Sequence, residues 1–117
     1  MDHNQQQEEA KAHIRSEKVI KTINPEKQIR HDISSDKYIK GRSYLLPGVD
    51  AQDLVDRYHG TGHVHINKLN TWDKEVVVAN DDIGICVDEA TGTETLTNRF
   101  VIHYSKTGTH VVPSRRR

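Results

Sequence analysis

The residues best suited to chemistry in this chain are three histidines, His31, His103 and His110, and two lysines, Lys27 and Lys106. An imidazole of ordinary pKa, about 6.5, gives or takes a proton near neutrality, and an ammonium holds a negative group beside it. His103, Ser105, Lys106, Thr107 and His110 crowd around one tight turn. Lys27 and His31 are four apart, so on a helix they share a face as a cation and a proton carrier at the edge of a site. A solvated charged helix is the plainer alternative. His63-Val64-His65 alternates, which on a strand puts both imidazoles on one side, as two metal ligands would lie. No nearby cysteine or carboxylate pattern completes that set, so these two are read as solvent-facing and no metal site is assigned.

The turn belongs to the closing strand pair. From Arg99 to Ser105, Phe100, Ile102 and Tyr104 fall on one face and Arg99, Val101, His103 and Ser105 on the other, the period of a half-buried strand. Lys106-Thr107-Gly108 reads as a hairpin loop with a left-handed glycine, and Val111 and Val112 continue the partner strand until Pro113. Register is left open: a slip of one residue decides whether His110 shares a face with His103 or with Tyr104.

Upstream, Asp2 to Ile23 forms a helical segment with a thin apolar stripe of Ala10, Ile14, Val19 and Ile23, the pattern of a linker or docking helix. Asn24-Pro25 stops it and starts a short helix, so residues 1–24 are assigned as a helical or flexible N-terminal linker and 25–117 as the domain. Arg42 to Leu46 reads as a strand ended by Pro47-Gly48. Asp50 to Tyr58 reads as a helix with Leu54, Val55 and Tyr58 inward, closed by Gly60-Thr61-Gly62. Glu75 to Ala79 and Ile83 to Val87 are further strands, and residues 88–94 a polar excursion. Helices followed by antiparallel strands give an α+β domain, a small antiparallel sheet with N-terminal helices packed on one face.

Composition narrows the function classes. Hydrophobic residues make up 33% of 117, enough for one small core. Basic and acidic residues balance at 17 each, which disfavours binding along extended duplexes and leaves room for a compact site on a short RNA segment. The Arg115-Arg116-Arg117 end is a local positive patch, read as a solvated terminus. Cys86, the single cysteine, reads as a small core hydrophobe rather than a nucleophile. No apolar run reaches membrane-spanning length, and the polar start lacks a signal-peptide core.

Lys27-Gln28 followed by His31, then Gly41-Arg42-Ser43, Gly60-Thr61-Gly62, Ile102-His103-Tyr104-Ser105-Lys106, Gly108 and His110-Val111-Val112-Pro113 resembles the bacterial polymorphic toxin type 50 domain. The resemblance runs from about Lys27 to Pro113 and leaves Met1 to Asn24 outside it. It implies a predicted endoribonuclease toxin domain related in fold to the barnase, EndoU and RelE group, of a kind also found at the end of phage head-morphogenesis proteins. His63-Val64-His65 departs from that pattern.

On that resemblance, two of His31, His103 and His110 act as base and acid in metal-free RNA cleavage. Lys27 and Lys106 serve as phosphate cations and Arg42 as a further one. Ser43, Thr97 and Ser105 hydrogen-bond phosphate or ribose, and Tyr104 either packs in the core or stacks on a base. The ribose 2'-hydroxyl attacks its own phosphate to leave a 2',3'-cyclic phosphate, and no cofactor is needed. Implied partners are an RNA substrate, a cognate immunity protein and a larger delivery or phage protein, with action in the cytoplasm of a target cell and no membrane. The competing reading is a non-enzymatic virion-associated or interaction module docked through its N-terminal helix.

Overall fold

In the computed structural model, which describes residues 2–116, helix α1 (His3–Arg15) opens the chain. Met1 and Arg117, the outer ends of the two assigned segments, lie outside the described residues. Asp2 accepts from the Gln5 amide at 2.8 Å while the Gln5 side chain accepts from the Asp2 amide at 3.2 Å, a reciprocal cap. The helix was expected to reach Ile23 and stops at Arg15. Ser16 turns its hydroxyl onto the His13 carbonyl, the following run is β-branched, and the Lys21 ammonium collects the carbonyls of Ile14, Ser16 and Val19. Ala10 and Ile14 are buried in the core, so α1 is docked on the sheet.

The chain then runs extended past Thr109, with Ile23 bridging it in parallel. Asn24 caps α2 (Pro25–Gln28), whose last turn tightens into a 3₁₀ turn, Ile29–His31. After β1 (Tyr44–Leu45) comes α3 (Ala51–Tyr58), with Asp50 as N-cap. The strands that follow are β2 (His63–Ile66), β3 (Trp72–Val78), β4 (Gly84–Val87), β5 (Glu94–Thr97), β6 (Arg99–His103) and β7 (His110–Pro113).

The α+β class holds, but the strands divide into two antiparallel sheets where one was expected. One is ordered β2-β3-β6-β7 and the other β1-β4-β5. The chain changes sheets at Asn98. Ile83 N–H donates to the Thr97 carbonyl in one sheet and Ala79 N–H to the Asn98 carbonyl in the other. Strand β5 has no counterpart among the expected strands, because its side chains up to Leu96 are exposed and carry no inward alternation. Gly84 lets the sheets meet, since a Cβ there would lie 2.5 Å from Pro113 Cγ.

Phe100, Ile102, Val111, Val77 and Val64 on the inner face of the four-stranded sheet pack with Ile14 of α1 and Leu54 and Val55 of α3. Glu75 shares this face. Its carboxylate is fully buried and accepts from Gly60 N–H at 3.0 Å, Gly62 N–H at 2.7 Å and the Tyr104 hydroxyl at 2.6 Å. Both outer strands of this sheet are closed by glutamine amides that mimic a neighbouring strand. Gln7 exchanges two hydrogen bonds with Val64 of β2, at 2.7 and 2.9 Å, and Gln28 two with Val111 of β7, at 2.9 and 2.6 Å.

Candidate active site

Strands β6 and β7 pair Ile102 with Val111 and His103 with His110. The open register is thereby resolved: His110 lies on the outer face beside His103, and Tyr104 turns inward. The turn between them requires its glycine. Gly108 has φ +117°, and a Cβ there would meet the Thr22 carbonyl oxygen at 2.8 Å.

The two imidazoles stack at 4.5 Å between centroids, 14° from parallel. His31 stacks on His110 in turn, at 6.1 Å and 15°. The clamp between Gln28 and Val111 holds α2 against β7 and so delivers His31 to this place. Because a carbonyl only accepts, His31 Nδ1 carries the hydrogen in its 2.8 Å contact with the Ser43 carbonyl, which leaves Nε2 as the lone-pair site of the neutral ring. Among the described residues no three His, Cys, Asp or Glu side chains are arranged to hold a metal ion.

All three rings have pKa values below the ordinary histidine range. Burial pushes His110 down to about 4, helped by His103, His31, Lys27 and Arg30. Burial likewise lowers His103, followed by Lys74, while the Asp73 carboxylate opposes the shift. His31 is lowered by burial against the opposing Ser43 carbonyl, with Arg42 and Arg30 adding to the fall. The column is thus a set of neutral bases ringed by Lys27, Arg30, Arg42 and Lys74. Positive charge on it is disfavoured by these four cations and favoured only by Asp73 and the Ser43 carbonyl.

The other assigned residues separate into two groups. Lys27 reaches the turn, its Nζ donating to Ser105 Oγ at 3.4 Å, and Arg42 stands beside His31. Lys106 is exposed and lines a hollow with Ile20, Thr22 and Glu26, and it is not among the charges acting on the column. The Ser43 hydroxyl accepts from Val87 N–H at 3.0 Å. Thr97 is fully buried, donating to the Ser114 carbonyl and accepting from Arg99 N–H, so it has no face for substrate. Of the two roles open to Tyr104, the core one is observed: it is buried on Glu75, and its pKa is raised by burial and by that carboxylate.

Sequence reading missed Lys74, Asp73 and Arg30. Lys74 lies directly opposite His103, and starting β3 at Trp72 instead of Glu75 would have put it on the outer face. His65 is opposite Lys74 in the same row, exposed, while the His63 ring lies 5.5 Å from that of His3. A larger cleft of about 620 Å³, walled by Ile29, Leu45, Leu46 and Val49, touches the column only at His31.

Residues 23–113 match the family described as bacterial toxin 50, which bears out the resemblance carried by the motifs. The match takes in the column and its four cations and leaves α1 outside. No curated protein matches the chain. No helix among the described residues is long and apolar enough to cross a membrane.

Proposed function

The chain belongs to the bacterial toxin 50 family, and from that premise we propose that it is a toxin domain that cleaves RNA without a metal ion. The observation that carries this reading is the stacked His103–His110 pair on the outer sheet face, 4.5 Å apart and ringed by Lys27, Arg30 and Lys74. A base and an acid are required on one phosphate, and two coupled imidazoles whose surroundings push them apart supply such a pair. His110, whose charged form is the least favoured, takes the proton of the ribose 2'-hydroxyl. The 2'-oxygen forms its bond to phosphorus while the bond from phosphorus to the 5'-oxygen breaks.

His103, the one ring with a carboxylate supporting its charged form, gives its proton to that leaving oxygen. The products are a 2',3'-cyclic phosphate and a 5'-hydroxyl. Bound phosphate raises both pKa values toward neutrality by its own charge, and the cations offset the charge that builds on the phosphorane. His31 is a positioning residue: pinned on Ser43, it holds the plane of His110. Ser105 hydrogen-bonds phosphate or ribose from the turn.

A cognate immunity protein and a larger delivery protein are the partners this reading calls for, with action in the cytoplasm of a target cell. Incubation with total RNA, with and without chelator, tests the reaction. Cleavage that persists in chelator, ends in 2',3'-cyclic phosphate and falls by about 100-fold or more in His103→Ala and in His110→Ala is the expected result. Cleavage that needs added divalent ion and survives loss of the 2'-hydroxyl overturns it. A chain that binds partners but cuts no RNA fits the interaction module instead.

A further inference from the structure

The outer face of the four-stranded sheet continues beyond the histidines in cross-strand rows. His65, Lys74, His103 and His110 form one row, and His63, Val76, Val101 and Val112 the next. Beyond these, Val78 lies opposite Arg99. A hollow of about 340 Å³ opens on this face, walled by Val76, Val101, Arg99, Ser114, Arg115 and Arg116. Its apolar floor is a single row away from His103, and its rim is basic. Arg116 is ion-paired with Asp82, while Arg99 and Arg115 make no ion pair among the described residues. From His103 to Arg99 the strand covers about 13 Å, a stretch that a few nucleotides of extended single strand can span.

We propose that this hollow is a subsite for the single-stranded RNA flanking the cleaved bond, seating a nucleobase on Val76 and Val101 and a neighbouring phosphate on Arg99 and Arg115. The inference rests on the RNA-cleavage reading and adds the substrate class to it. Bases in a duplex are stacked on each other and cannot lie on an open sheet face, whereas unpaired bases can, and guanidinium planes stack on them as well as holding phosphate. Contact through a few cations at the two ends of one sheet face fits a chain of zero net charge: RNA is held at a few phosphates and not along a long backbone.

The test compares a dinucleotide with a single-stranded hexanucleotide containing the same step, extended on either side in turn. One extension is expected to raise kcat/KM by about tenfold, and the Arg99→Ala/Arg115→Ala variant to bring the ratio to about one. Arg99→Lys keeps most of it, and Arg57→Ala, on the exposed side of α3, keeps all of it. Fluorescence anisotropy with an uncleavable 2'-deoxy hexanucleotide gives a second readout: the double variant lowers the slope of log affinity against log salt by about 0.7, the loss of one phosphate contact on a single strand. An extension ratio and salt slope unaltered by the double variant overturn the subsite alone. If no RNA of any length is cut or bound, the cleavage reading falls and the subsite with it.

Discussion

Replacing Gln28 with alanine isolates the contact on which the candidate site is built. The Gln28 amide donates to the Val111 carbonyl at 2.9 Å and accepts from Val111 N–H at 2.6 Å, and Val111 is fully buried. Removing the amide forfeits two hydrogen bonds and leaves a backbone donor and acceptor short of partners, a loss of about 3 kcal/mol. With a urea dependence of about 1.5 kcal/mol per molar, the unfolding midpoint falls by about 2 M. Gln7→Ala is the matched control. It removes the same pair of bonds, at 2.7 and 2.9 Å, from Val64 on the opposite edge of the sheet, and the cost in stability is expected to be similar. The two variants separate at the histidines. Without Gln28, α2 is loosened from β7, His31 withdraws, and the His110 pKa, held at about 4 by burial and then by the charges of His103 and His31, climbs toward the ordinary value. Gln7→Ala leaves it in place. Urea unfolding and an NMR titration of the His110 ring measure both effects. The reasoning fails if Gln28→Ala costs less than about 0.5 kcal/mol, or if the two variants shift His110 equally.

Other outcomes follow from the same geometry. The folded-state pKa of His110 lies below its unfolded value of 6.5, so the unfolded chain binds more protons between the two; stability is full above about pH 6.5 and is lost as the pH falls to about 4. Urea midpoints measured at several pH values should show that limb, and His110→Asn should flatten it. Initial rates of RNA cleavage should fall about tenfold or more in Lys27→Ala and Lys74→Ala and change little in Lys106→Ala; equal losses in all three would refute the assignment of cations. A Cβ at Gly62 would lie 2.1 Å from the Val76 carbonyl oxygen, so Gly62→Ala is expected to cost more than about 3 kcal/mol in thermal or urea unfolding. Gly92→Ala, at φ +75° with open space around it, should cost only about 1 kcal/mol.

Much of this protein is local enough to be legible in its sequence. Asn24-Pro25, Asp50 and Gly108 mark where helices begin and where the last hairpin turns, because capping and left-handed backbone depend on the residue itself and its immediate neighbours. The alternation of Phe100, Ile102 and Tyr104 identifies the core face of β6, and the motifs spread from Lys27 to Pro113 identify the family. Relations across the chain were decided only by the tertiary structure. Lys74 became a neighbour of His103, and Lys106 did not, because strand pairing carries one to the outer face while the turn carries the other away. Thr97 looked like a hydroxyl free for substrate until the change of sheets at Asn98 buried it. The thin stripe of α1 is too narrow to reveal what it covers, and burial of Ile14 needed the groove that β2 and α3 complete. The histidine column belongs to this second kind. Three histidines in three motifs suggested proton transfer, but stacking at 4.5 and 6.1 Å comes from the register of β6 on β7 and from one glutamine amide binding the backbone of the edge strand, neither of which is a property of any single stretch of sequence.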